Sequence, residues 1–89
     1  MNIVIISGTI VSNINFKFIY NRYRKKSKYT SIASFYIELE NASIIKVYGY
    51  DNMADFMYKN CKFGNKVICD GIIDNDGNVA IKEAEKLEH

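Results

Sequence analysis

Eighty-nine residues, 48% of them hydrophobic and 25% charged with a net charge of +2, fit one small soluble globular domain without room for a second core. Such a composition excludes a disordered chain. It also excludes a membrane-spanning helix, because the apolar run Ile3–Ile6 is far shorter than the roughly 20 residues such a helix needs.

The charge is unevenly placed. Residues 1–37 carry six basic side chains (Lys17, Arg22, Arg24, Lys25, Lys26, Lys28) and no acidic one, whereas the remainder holds the other six basic and all ten acidic residues. A basic patch suited to a polyanion is expected in the first half.

Residues 2–12 are β-branched and apolar and read as a long strand interrupted at Gly8, since glycine within a strand marks a bulge or a sharp barrel bend. Phe16–Tyr20 alternates at period two and continues it as a short strand, and the polar, basic residues 21–29 read as a loop. Ser31–Glu40 returns to strand, with Ala33, Phe35, Ile37 and Leu39 on one face and Ser34, Tyr36 and Glu38 on the other. A tight turn at Asn41–Ala42 leads into Ser43–Tyr50, where Ile45 and Val47 oppose Ile44, Lys46 and Tyr48.

Residues 52–62 form the expected helix, capped by Asp51 or Asn52, with Met53, Phe56, Met57 and Cys61 as its apolar stripe and Gly64 as its stop. Val67–Ile73 and Asn78–Ala84 are two further strands joined by a hairpin turn at Asp74–Gly77. The fold class is therefore all-β with one helix: a five-stranded Greek-key barrel whose helix lies between strands three and four, the order of an oligonucleotide-binding (OB) barrel. The domain is expected to span residues 1–86, with 87–89 a tag remnant that removes His89 from any chemistry.

Catalysis finds little support. Without His89 there is no histidine and no Ser–His or Cys–His pair. Cys61 and Cys69 lack companion ligands for zinc and read as reduced core residues of a cytosolic protein, and no secretory signal is evident. Asp74-Asn75-Asp76-Gly77 is too short for a calcium loop, and no glycine-rich phosphate loop exists. The expectation is a non-enzyme with no cofactor and no metal.

Three stretches carry a family resemblance: Asn2–Ile10 with its glycine, Ile32–Ile37, and Val47-Tyr48-Gly49 followed by a helix and then Gly64-Asn65-Lys66-Val67-Ile68-Cys69-Asp70-Gly71. Together, over about residues 2–73, they resemble the bacterial single-stranded-DNA-binding proteins. The resemblance implies an OB barrel, stacking of a base on Tyr48, and oligomerisation as a dimer or tetramer, often through the first strand. The tryptophans that the family commonly stacks on are absent, as is its acidic C-terminal tip, and the hairpin between strands two and three is cut to a tight turn.

A single strand offers phosphates and exposed base faces, so cations interleaved with aromatic rings are the chemistry to seek. The stacking candidates are Tyr48, Tyr36, Tyr20, Tyr23 and Tyr29. Lys46 would hold a phosphate beside Tyr48, and Arg22, Arg24, Lys25, Lys26 and Lys28 would form an arm at the groove mouth. The five phenylalanines, Phe16, Phe18, Phe35, Phe56 and Phe63, are assigned to the core. The expected partner is single-stranded DNA, with RNA a variant of the same reading. A protein-assembly module on the same barrel is the alternative.

Overall fold

The computed structural model of the chain describes residues 3–20, 22–23 and 29–87. Its apolar N-terminal stretch forms β1 (Ile3–Ile10), which pairs antiparallel with β5 (Lys66–Ile73) from Ile3↔Ile72 to Thr9↔Lys66. The ladder runs through Gly8 without a break. Gly8 instead lets another strand come close: a Cβ there would strike the carbonyl oxygen of Glu38 and lie 2.6 Å from Cγ2 of Ile37. Both belong to β3 (Tyr29–Glu38), which meets β1 at Thr9↔Glu38 and Ile10↔Ile37 and so closes the barrel.

The interruption falls at residues 11–14. There the N–H of Val11 donates to the carbonyl of Tyr36 at 2.9 Å, and the hydroxyl of Ser12 accepts the N–H of Tyr36 at 2.9 Å. A side chain thus substitutes for a ladder carbonyl, and the chain resumes pairing with β3 as β2 (Asn15–Tyr20). The expected long strand with its continuation is therefore two strands. Among the described residues there are six strands, and the helix follows the fourth of them, not the third.

The remaining elements are β4 (Ile44–Tyr50), α1 (Asn52–Asn60) and β6 (Val79–Leu87). Strands pair in the ring β1–β5–β6–β4–β3–β1, with the β4–β6 contact parallel and the others antiparallel. β2 stands outside the ring on β3, making a two-stranded ribbon. Five strands closed on themselves with one helix are the OB barrel that the order of elements predicted.

Period-two burial fills the interior. Ile10, Ala33, Phe35, Ile37, Val47, Val67, Cys69, Val79 and Ile81 are buried from the strands, and Ala54, Met57 and Cys61 from the helix and its end. Each large side chain buried in this way contributes about 1.5–3 kcal/mol. Gly49 on β4 admits the helix, since a Cβ there would lie 2.5 Å from Cγ of Met53 and 2.9 Å from Sδ of Met57. Burial pushes both thiols up, Cys69 to about 12, so neither is a thiolate near neutrality.

Several local expectations differ. Asp51 occupies the N-cap position at φ +53 but makes no side-chain cap hydrogen bond. The helix ends at Asn60 with Cys61 extended, before Gly64. Gly64 serves the next turn, where its N–H donates to the Ile10 carbonyl at 2.8 Å. Phe63 lies in that turn and is exposed, and Phe18 is exposed because its place on β2, opposite Ser31, falls beyond the barrel core. Phe35 is core, while Phe16 and Phe56 are partly buried against it. No helix among the described residues is long and apolar enough to cross a membrane.

Candidate nucleic-acid interface

Register decides which side chains share the outer face of β2, β3 and β4. Asn15, Ser34 and Tyr48 stand opposite one another across the three strands, as do Lys17, Ile32 and Tyr50. Tyr36 and Lys46 make the next pair on β3 and β4. With strands about 4.8 Å apart, these rungs form a floor roughly 10 Å wide. Ser34 and Ile32 of β3 run down its middle, flanked by Lys17 on β2 and by Tyr48 and Tyr50 on β4. The turn between β5 and β6 supplies one wall through Asp74 and Asn78, enclosing a groove of about 280 Å³.

Tyr48 is held in place. Its hydroxyl donates to Oδ2 of Asp74 at 2.8 Å, and its ring meets that of Tyr50 edge to face at 5.7 Å. Asp74 is held in turn: Oδ1 accepts the N–H groups of Asp76 at 2.8 Å and Asn78 at 3.0 Å, and Gly77 takes φ +82 to close the hairpin. The hydrogen bond to Asp74, with burial and the neighbouring charge, raises the Tyr48 phenol from 10.0 to about 12. The same bond, aided by the backbone N–H groups of the turn, lowers the carboxyl of Asp74. Tyr48 is therefore a neutral, fixed ring, and Tyr50 beside it is half exposed.

Of the expected site residues, Tyr48 and Lys46 line the groove, and Tyr36, 44% exposed, lies on the same face beside Lys46. Tyr20 and Tyr29 do not join them. They pair with each other, and their parity on the ribbon turns them to the face opposite Lys17 and Ile32. Arg22 and Tyr23 follow β2 at the ribbon end, where the guanidinium lies 5.1 Å from the Tyr23 ring centre and Nη2 donates to its hydroxyl at 3.0 Å. Arg24, Lys25, Lys26 and Lys28 lie outside the described residues.

Asn15, Lys17, Tyr50, Asp74 and Asn78 also line the groove and are not among the residues expected there from sequence. Tyr50 was within reach, because it sits two positions from Tyr48 on one strand. Lys17 was not, since the register of β2 on β3 is a tertiary fact. A second concavity of about 380 Å³ lies on the β1–β5–β6 side, lined by Ile5, Ile68, Asp70, Glu83 and Glu85 among others. Its carboxylates repel phosphate, whereas the tyrosine groove sets Lys17 and Lys46 against the one carboxylate of Asp74.

No family model matches the sequence, and no curated protein sequence matches it significantly. Solved structures do resemble the fold. The SSB domain of a Synechococcus sp. protein superposes with a TM-score of 0.78 at 18% identity, covering 96% of this chain and 94% of that one. The single-stranded DNA binding protein of Thermus aquaticus gives 0.81 at 16% identity, with all of this chain spanning 41% of that one. A small single-stranded DNA-binding protein of Streptomyces coelicolor gives 0.69 at 10% identity over 96% and 91% of the two chains. At these identities what is shared is architecture, and the chain has the OB-fold barrel of these structures.

Proposed function

We propose that the chain binds single-stranded DNA with little sequence preference, by stacking bases on Tyr48 and Tyr50 while Lys17 and Lys46 neutralise phosphates. The observation that carries this is the groove itself: two tyrosines and two lysines rise from one open sheet face, and the first of the rings is fixed by Asp74. Stacking on aromatic faces tolerates any base, and lysine contacts to phosphate carry no sequence information. Tyr36 extends the platform beyond Lys46. Such a module serves DNA replication, recombination or repair, wherever single strands are exposed. Fluorescence polarisation with labelled oligo-dT, against duplex and matched RNA, tests the reading. Binding of the single strand that weakens with salt at a log–log slope of about −0.7 per neutralised phosphate supports it. Indifference to unpaired oligonucleotides in dilute buffer refutes it, and preference for the RNA oligomer would reassign the ligand.

Self-association is part of the proposal. Among the described residues β1 pairs with β5 along one side and meets β3 only at Thr9 and Ile10, so the rest of its second edge has no neighbouring strand. Ile3 and Ile5 are 66% and 72% exposed on that strand. An open apolar edge of this kind favours pairing with a second copy. Sedimentation equilibrium tests it, with a monomer at micromolar concentration as the refuting outcome.

A further inference from the structure

On the side of the β2–β3 ribbon turned away from the groove, aromatic side chains occupy every second position. Phe16, Phe18 and Tyr20 alternate with Asn15, Lys17 and Ile19 along β2, and Tyr29 stands opposite Tyr20. The rings form two adjoining clusters. Phe16 and Phe18 meet edge to face at 5.4 Å, Phe16 leans on Tyr58 of α1 at 4.9 Å, and Tyr20 and Tyr29 lie 5.3 Å apart. Phe18 is 68% exposed, Tyr20 56% and Tyr29 60%. A run of rings left this open to solvent marks a contact surface.

Charge selects the occupant. The sequence that joins Tyr20 to Tyr29 holds five basic side chains and no acidic one, and of these the structure describes Arg22. A second copy docked symmetrically here would bring Arg22, which follows β2 beside Tyr23, against like charge, because an isologous contact matches each patch to itself. A flexible polyanion with flat apolar faces meets both the rings and the charge. The route to it is short: β2 is the last strand in the sheet order, and Lys17 lines the groove on its other face. A strand leaving the groove past Lys17 has only the edge of β2 to cross.

We propose that Phe18, Tyr20 and Tyr29 form a second stacking surface for the same single strand, which wraps from the groove around the edge of β2. This rests on the single-strand reading of the groove and extends its path. The test is a pair of titrations with oligo-dT of about 6 and about 20 nucleotides, one near the short end of the roughly 4–16 that one such barrel holds and one beyond its long end. The double variant Phe18→Ala/Tyr20→Ala is expected to lose about tenfold or more in affinity for the longer oligomer and to bind the shorter within about twofold of wild type. Phe18→Tyr/Tyr20→Phe, which keeps both rings, should match wild type on both lengths. Equal loss on both lengths, or loss on neither, overturns the proposal and leaves the groove reading standing. A wild-type chain that binds neither oligomer overturns the groove reading and this extension together. A change in the mass of the DNA-free double variant, measured by sedimentation, would assign the row to a protein contact and overturn it also.

Discussion

The hydroxyl of Tyr48 and the Oδ2 atom of Asp74 are 2.8 Å apart, joining the middle of β4 to the β5–β6 turn. The bond fixes a ring at the side of the groove to the same carboxylate that organises the groove's wall. Position and orientation of the ring thus come from residues distant in sequence.

Each group in this pair needs one protonation state. Tyr48 is raised from 10.0 to about 12, so its part of the contact is complete below pH 10.0 and is lost as pH climbs through about 12. Asp74 is lowered from 3.8, so its part is complete above 3.8 and is lost as pH falls through the depressed value. Between those limits groove geometry should not change with pH. Asp74→Asn removes the charge that disfavours the phenolate. In a spectrophotometric titration the last tyrosine to ionise in the wild type should then move back toward 10.0; an unchanged curve would break the link.

Stacking predicts a difference between losing a ring and losing a hydroxyl. Tyr48→Ala and Tyr50→Ala should each weaken oligo-dT binding by about 1–3 kcal/mol, roughly fivefold to a hundredfold or more. Tyr48→Phe keeps the ring and should stay within about threefold. If the alanine variants fold and bind like wild type, as judged by circular dichroism and polarisation, the rings are not the platform.

Lys17 and Lys46 flank the groove on β2 and β4. Replacing either by glutamine should make the slope of log affinity against log salt shallower by about 0.7, the signature of one phosphate contact. A slope unchanged in both variants would place the phosphates elsewhere.

Closure of the barrel depends on the absence of a side chain at Gly8. Gly8→Ala would drive a methyl into the Glu38 carbonyl, which is backbone and cannot turn aside. Urea denaturation should register a loss of about 1–3 kcal/mol, and an unaltered midpoint would mean that β1 and β3 yield without cost.

Asp70 faces Ile5 and Glu83 across its neighbouring strands, and its Oδ1 atom is buried without a hydrogen-bond partner among the described residues. A buried acceptor left unsatisfied costs about 1–3 kcal/mol, and a like charge directly opposite adds to it. Asp70→Val should therefore raise the melting temperature by several degrees, at roughly 4–8 °C per kcal/mol for a domain of this size. A lower Tm would show that the carboxylate has a stabilising partner.

Local pattern made much of the barrel legible. Alternation placed Ala33, Phe35, Ile37 and Val47 inward and Tyr36, Lys46 and Tyr48 outward, because the side-chain period of a strand is two whatever it pairs with. Helical spacing found α1, and Asp74–Gly77 declared its turn. What those residues could not express is pairing between distant segments. Only tertiary structure set Ser12 against Tyr36 and so divided one expected strand into β1 and β2. The register of β2 on β3 then brought Lys17 into the groove and turned Tyr20 and Tyr29 to the reverse face. The fold of the β5–β6 hairpin carried Asp74 to Tyr48. A strand's own residues determine which of its side chains lie on one side together, but its neighbours and their register determine what that side meets.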